Sequence, residues 1–346
     1  MHKLRFAQAG VSIMHANMYR DTLMLLSDEI ELVGFCDPDP EEARSHLKPE
    51  LAHLPCYENL DELLTCTQPD AVMVSALPQE MPAWLAQAAE AKVHIWAEKP
   101  VAAHSEQLAP VAAAIAEHQV HFSTGYSWRF HPISRLIRDS CAKGLLGKLY
   151  SIDIRFLTSS VKLRNPDSWV FKRALSGGGI LNWLGCHWFD LMRYITGSEV
   201  TKVSAIEANV GGEDIDVEDA AAVSLHFANG MIGTLHAGYF TSQGGETSFG
   251  IRGSEGWARW EMADESCTIK SDHPSWAEAP ERHFHMPSAQ YPGYGAEGRA
   301  LVKAFAAAIR GEGESGYHIE DAIRTLQIIE AAHESARSER TVSLSQ

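Results

Sequence analysis

Leu4-Arg5-Phe6-Ala7-Gln8-Ala9-Gly10-Val11-Ser12-Ile13-Met14-His15 decides the fold. Its first six residues read as a short buried strand, a glycine follows at once, and a helical pattern begins at Ala16. The same alternation repeats downstream. Strands are expected over residues 4–9, 30–36, 71–76, 93–97 and 121–125, and helices over 16–27, 41–47, 60–65, 82–91 and 106–117. Pro82 suits the first turn of its helix, where a missing N–H costs nothing. Strands alternating with helices imply a doubly wound, Rossmann-type parallel sheet with right-handed crossovers. In such sheets ligands sit beyond the carboxyl ends of the strands.

Those strand ends can be read in turn. A dinucleotide fold asks for G-x-G-x-x-G after its first strand. Here only Gly10 is present; Ser12 stands where the backbone approaches the pyrophosphate, and His15 stands at the helix-packing position. The Ser12 hydroxyl can donate to a phosphate, and the helix N-terminus after Ile13 and Met14 offers N–H groups and a positive dipole end. The second strand ends at Asp37, the position that bonds a ribose 2′-hydroxyl, with Asp39 close behind and no basic residue before Arg44. NAD is therefore expected over NADP. Asp37 can also be read as a helix N-cap, and different residues of this turn can fill the two roles. The third strand runs into Ser75-Ala76-Leu77-Pro78, a tight turn expected near the nicotinamide ribose. The fourth ends Ala97-Glu98-Lys99-Pro100. Proline disfavours helix at Lys99, so the lysine is held in an extended turn where it can polarise a hydroxyl or carbonyl oxygen.

A second stretch, Gly177-Gly178-Gly179-Ile180-Leu181-Asn182-Trp183-Leu184-Gly185-Cys186-His187-Trp188-Phe189-Asp190, puts glycines before a helix running to Thr196. Consecutive glycines are kept where a chain turns sharply or passes close to something. Trp183, His187 and Asp190 share roughly one face at helical spacing.

Taken together, the glycine turn, Asp37, Leu77-Pro78, Glu98-Lys99-Pro100, Gly125-Tyr126-Ser127-Trp128-Arg129-Phe130-His131-Pro132, Gly144-Leu145-Leu146-Gly147-Lys148 and Gly-Gly-Gly…His resemble the Gfo/Idh/MocA (glucose-fructose oxidoreductase / inositol dehydrogenase) family over nearly the whole chain. The resemblance implies an NAD-binding domain over residues 1–125 and a substrate and oligomerisation domain over 126–346, whose C-terminal helices can pack back on the first. It also implies hydride transfer between a nicotinamide and a secondary alcohol or ketone carbon of a sugar, sugar derivative or cyclitol. Its catalytic groups carry over as Lys99 and His187. The Asp that often precedes that His by one turn does not, because Trp183 stands there. Asn182 points elsewhere and cannot substitute, whereas Asp190 can orient His187. The expected roles are His187 as proton acceptor, Lys99 as electrostatic stabiliser and substrate anchor, and Trp183 as a stacking wall. Tyr126, Arg129, Trp169, Arg173 and Asn182 are candidates for substrate hydroxyls, Arg129 equally for an ion pair at the domain junction. The NAD contacts are expected from Gly10, Ser12, Ile13, Met14, Asp37, Ser75, Ala76, Leu77, Pro78, Glu98 and Lys99. Two readings stay open beside the dehydrogenase: a glycosidase or lyase acting through transient oxidation, and a cofactor- or sugar-binding protein without turnover.

After residue 149 the pattern changes to strands over 149–157, 200–210, 221–228, 231–240, 247–252, 257–262 and 267–270, with Asn229-Gly230 as a hairpin signal. An open antiparallel sheet with helices on one face is expected. Its other face is a candidate for a homo-oligomer, dimer or tetramer. Residues 271–294 read as a long loop near the cleft, and 295–309 and 318–338 as amphipathic helices. His273, His283 and His285 lack metal-site spacing, so no metal is expected. The 346 residues suffice for two domains. A net charge of −16 without a basic block argues against nucleic acid or an anionic membrane. Six cysteines without a CxxC pair and an N-terminus without an apolar core point to the cytoplasm.

Overall fold

The computed structural model describes residues 2–287 and 289–344. The chain forms two compact units, Met1–Phe130 with Ala289–Arg324 and His131–Ser288 with Thr325–Gln346. The division thus falls after Phe130 rather than after residue 125, and a late segment belongs to the first unit.

The first unit opens with β1 (Leu4–Ala9), α1 (Ala16–Met24), β2 (Ile30–Cys36), α2 (Pro40–Ser45), β3 (Cys56–Tyr57), α3 (Leu60–Thr67), β4 (Ala71–Val74), α4 (Met81–Glu90), β5 (His94–Ala97), α5 (Ala109–His118) and β6 (Phe122–Thr124). Its strands pair in parallel in the order β3-β2-β1-β4-β5-β6. Phe6, Ala7 and Ala9 of β1 and all four residues of β4 are fully buried. Such runs lack alternation because both faces of a parallel sheet are covered. Helix α5 begins later than its pattern suggested, because Ser105–Leu108 forms a 3-10 turn first.

The second unit contains α6 (Pro132–Ala142), β7 (Leu149–Ser159), α7 (Arg173–Ser176), one π-helical turn at Leu181–Gly185, α8 (Cys186–Thr196), β8 (Val200–Ala208), β9 (Ala220–Phe227), β10 (Ile232–Thr241), β11 (Glu246–Gly253), β12 (Gly256–Glu261), β13 (Ser266–Ser271) and β14 (Glu281–His285). Two further helices, α9 (Gly295–Ile309) and α10 (Ile319–Ser338), precede a short β15 (Val342–Ser343). In the first unit, Phe305 of α9 meets Phe6 edge-on with ring centres 6.2 Å apart.

Three expectations for the second unit need correction. The sheet, ordered β14-β13-β12-β11-β7-β10-β9-β8-β15, is mixed rather than antiparallel, because β7 and β10 run parallel. The chain leaves β7 through α8, returns at β8 and meanders back through β9, so β10 arrives beside β7 in the same direction. Strand patterns do not reveal such a long-range pairing. Residues 271–294 are not one loop: β14 pairs with β13. His273 caps the 3-10 turn at Pro274–Trp276, and His283 lies 2.9 Å from the Thr268 hydroxyl. Finally, the helix expected from the glycines to Thr196 starts as a π-turn, which widens the helix and loosens the one-turn spacing read between Trp183 and His187.

The Asn229-Gly230 hairpin forms as expected between β9 and β10. Along β9 and β10 buried residues such as Val223, Leu225 and Leu235 alternate with exposed Ser224, His226, Thr234 and His236. One sheet face is therefore covered, and Trp188 of α8 packs there on Phe156 of β7 at 5.1 Å. Among the described residues no helix is long and apolar enough to cross a membrane.

Candidate functional site

In the first unit the expected cofactor residues line the carboxyl edge of the parallel sheet. Gly10 follows β1, Asp37 follows β2, Ser75-Ala76-Leu77-Pro78 follows β4, and Glu98-Lys99 follows β5. Gly10 has φ +79°, and a Cβ there would lie 1.6 Å from the Ser75 carbonyl oxygen. Only glycine fits a left-handed turn pressed onto a neighbouring backbone. Asp37 organises this turn. Its Oδ2 accepts from the Val11 N–H (2.8 Å), the Ser12 N–H (3.0 Å) and the Ser12 hydroxyl (2.9 Å), and its Oδ1 accepts from the Asp39 N–H at 3.2 Å. The helix-capping role falls to Asp39, whose carboxylate accepts from Glu41 and Glu42. Ser12, expected to face a phosphate, thus donates to Asp37. Met14 is exposed.

These residues suit a dinucleotide. No side chain caps the first turn of α1 and no acid lies in it, which leaves the helix end electropositive. Asp37 keeps acceptor capacity on Oδ1 for a ribose hydroxyl.

Lys99, 2% exposed, precedes Pro100 through a cis peptide bond. Its Nζ lies 3.9 Å from Glu98 Oε1, and the same oxygen lies 3.3 Å from His15 Nδ1. Tyr19 and Tyr294 stack nearby with ring centres 4.5 Å apart. Burial, reinforced by the Glu98 charge, pushes both phenols well above their ordinary range, so they remain protonated beside that carboxylate. Tyr126 is fully buried, and its carbonyl accepts from the Tyr317 hydroxyl. Arg129, a candidate for substrate hydroxyls or for an ion pair, forms an ion pair. Its guanidinium pairs with Asp321 at 2.9 Å, donates to the Gly316 carbonyl at 3.1 Å and covers the Tyr317 ring at 4.3 Å, a brace inside the first unit.

The second unit holds the other group. The glycines serve internal packing: Gly177 ends α7 with φ +83°, and a Cβ on Gly179 would lie 1.9 Å from the Glu218 carbonyl oxygen. Trp183, expected as a sugar-stacking wall, is buried edge-to-face against Trp169 at 5.2 Å. Asn182 is also buried, its Oδ1 2.7 Å from His333 Nε2. Arg173 donates to Asp216 through its backbone N–H and lies 3.5 Å from Glu218. Asn182 and Arg173, candidates for substrate hydroxyls, thus have protein partners. His187 is half-buried in the first turn of α8, and Asp190, three residues on, is 1% exposed. Sequence reading missed Tyr19, Tyr294, Glu207, Glu218 and His333, which are gathered by tertiary packing and carry no local motif.

A glycine turn tied to an acid after the second strand, with a buried lysine after the fifth, defines an oxidoreductase built on a dinucleotide-binding sheet. Residues 4–126 match the oxidoreductase family described as having an NAD-binding Rossmann fold, and residues 134–259 match the GFO/IDH/MocA C-terminal domain. The chain belongs to the Gfo/Idh/MocA family of oxidoreductases, and its first unit is an NAD-binding Rossmann domain. It is 27% identical to the uncharacterized oxidoreductase YrbE of Bacillus subtilis, over 80% of this chain and 78% of that protein. It is 28% identical to levoglucosan dehydrogenase of Pseudarthrobacter phenanthrenivorans, over 62% of each. A solved structure of levoglucosan dehydrogenase in complex with NADH shares the fold, with a TM-score of 0.86 and 21% identity over the full length of both chains.

Proposed function

We propose that the protein is an NAD-dependent dehydrogenase that oxidises a secondary alcohol of a sugar, sugar derivative or cyclitol, or reduces the matching ketone. The observation that carries this reading is Lys99, buried with Glu98 at the strand end beside the glycine turn. An ammonium in a low-dielectric site strongly stabilises a developing alkoxide. When bound, NAD supplies the hydride acceptor. Lys99 anchors the reacting oxygen and lowers the cost of its negative charge. His187 takes the hydroxyl proton, and Asp190, one turn along α8, orients the imidazole and stabilises its charged form. The sugar relatives support the substrate class. The two carboxylates Asp37 and Asp39 after β2 support NAD over NADP, since a 2′-phosphate would meet both.

His187→Ala is expected to lower kcat by roughly 10²–10⁴, the usual scale for an acid–base group. An unchanged kcat would remove His187 from the mechanism. The free thiols of all six cysteines support a reducing compartment such as the cytoplasm. A homo-oligomer, dimer or tetramer, through the open sheet face is supported by Ile206 and Ile232, which are 75% and 58% exposed there. A light-scattering mass equal to one chain would reject it.

A further inference from the structure

A set of buried and half-buried polar groups lies behind the turn leading into α8, and the proposed chemistry leaves it without a role. His333 of α10 has Nδ1 2.8 Å from Glu207 Oε1 of β8 and Nε2 2.7 Å from Asn182 Oδ1. Glu218, whose side chain is 3% exposed, accepts through Oε1 from the Gly179 N–H (2.9 Å) and the Leu181 N–H (3.1 Å). Arg173 stands 3.5 Å from its other oxygen. Asn182, His333 and Glu218 press on Gly178 and Gly179, where any Cβ would overlap Asn182, His333 or the Glu218 backbone.

We infer that Glu207 and His333 are positioning residues: a protonated His333, ion-paired with Glu207 and donating to Asn182, acts with the Glu218 clamp to fix the π-turn that sets the start of α8 and hence His187. The inference rests on the proposed role of His187. Nε2 lies in hydrogen-bond geometry with the Asn182 oxygen, while Nδ1 stands 2.8 Å from Glu207 Oε1 as an ion-pair contact off the line of a hydrogen bond, and only the imidazolium sets a proton toward both oxygens at once. A neutral ring would set a lone pair against one oxygen, and the Asn182 amide would have to turn over.

Burial pulls His333 down, but the close contact with Glu207 and the charges of Glu218 and Glu207 outweigh it against Arg173, so its affinity for the proton is raised. Burial also holds Glu218 above the usual carboxylate range, opposed by His333. A raised histidine gives its bridge in full below the ordinary histidine value and loses it as pH rises through the folded value. The oxygens and ring nitrogen of Glu207, Glu218 and His333 also lie within 4.8 Å of one another, as in a cation site. The Arg173 guanidinium beside Glu218 and the Nε2 bond to Asn182 favour a proton instead.

The test uses Glu207→Gln and His333→Gln in the full chain. Amide hydrogen exchange over residues 179–185, corrected for intrinsic rates, is followed against pH without substrate, and kcat/KM is followed over the same range. Wild type is expected to lose protection through one titration above the ordinary histidine range. Glu207→Gln moves the midpoint down by roughly one unit or more, the scale of a lost charge partner. His333→Gln abolishes it, since a neutral amide still donates to Asn182. The alkaline limb of kcat/KM moves with the midpoint, and the Kd for NAD stays at the wild-type value. Equal midpoints in wild type and Glu207→Gln would overturn the inference. So would a shifted midpoint with an unmoved kcat/KM profile, or one equivalent of divalent metal in the purified chain. Exchange is read without turnover, so failure of the dehydrogenase reading leaves its result intact.

Discussion

Removing the carboxylate of Asp37 tests whether this residue builds the glycine turn as well as reading the ribose. In Asp37→Ala the Val11 N–H loses its acceptor in a residue only 2% exposed. A buried donor left unpaired costs about 1–3 kcal/mol. Ser12 is exposed and its two donors can turn to water, so their loss adds about 1 kcal/mol. The sum, about 2–4 kcal/mol, corresponds to a fall in Tm of roughly 4–16 °C for a unit of this size. Loss of one charge-assisted bond to a ribose hydroxyl, about 1.5–3 kcal/mol, weakens NAD binding by about 10- to 150-fold. Differential scanning calorimetry and an NAD titration measure both in the same preparation. Asp37→Asn keeps one acceptor oxygen for Val11 and is expected to lose less stability than the alanine variant. A thermal transition in Asp37→Ala within about 0.5 kcal/mol of wild type, the range of an ordinary surface change, would refute the structural half of the argument. Unchanged NAD affinity would refute the other half.

Gly179→Ala forces a Cβ into the Glu218 backbone and is expected to destabilise by about 1–3 kcal/mol; a thermal melt identical to wild type would contradict the packing role of the glycines. Burial pushes the thiols of Cys36, Cys141 and Cys267 up to about 12, so in native protein at pH 8 a disulfide reagent should modify exposed Cys66 first and these three only on unfolding. Burial, with the neighbouring His121, lowers His94 to about 4, below its unfolded value. The unfolded chain therefore binds the extra proton between those values, stability falls as pH drops from about 6.5 towards 4, and a stability–pH slope in His94→Gln equal to that of wild type would contradict it. Trp183→Ala empties a buried aromatic contact and should cost about 3–5 kcal/mol, read by urea unfolding.

The first unit was legible because local rules and tertiary outcome agree there. Buried runs at 4–9 and 30–36 became strands with those bounds, and Gly10, Asp37 and Lys99 fell at the carboxyl edge. The limits have specific causes. Asp37 looked like a ribose ligand or a helix cap, because sequence cannot show that its carboxylate also accepts from Val11 and Ser12. The triple glycine looked like the mouth of a ligand site, yet Gly179 is pressed onto Glu218, 39 residues away along the chain. Arg129 looked equally suited to substrate or ion pair, and its partner Asp321 lies 192 residues away in sequence. The parallel pairing of β7 with β10 was invisible for the same reason: strand patterns reveal faces, not partners. His15, a departure from the glycine pattern, adopts the left-handed conformation with φ 71° and sets its ring against Glu98.

The most direct test of the central claim is NADH formation at 340 nm with a panel of anhydrosugars, aldoses and cyclitols, run on wild type, Lys99→Ala and His187→Ala with NAD binding measured for each. Steady NADH production by wild type is predicted, with kcat/KM reduced at least about 100-fold in both variants and NAD still bound by His187→Ala. Wild type that binds NAD but reduces it with no polyol, or turnover that survives both substitutions, would contradict the account.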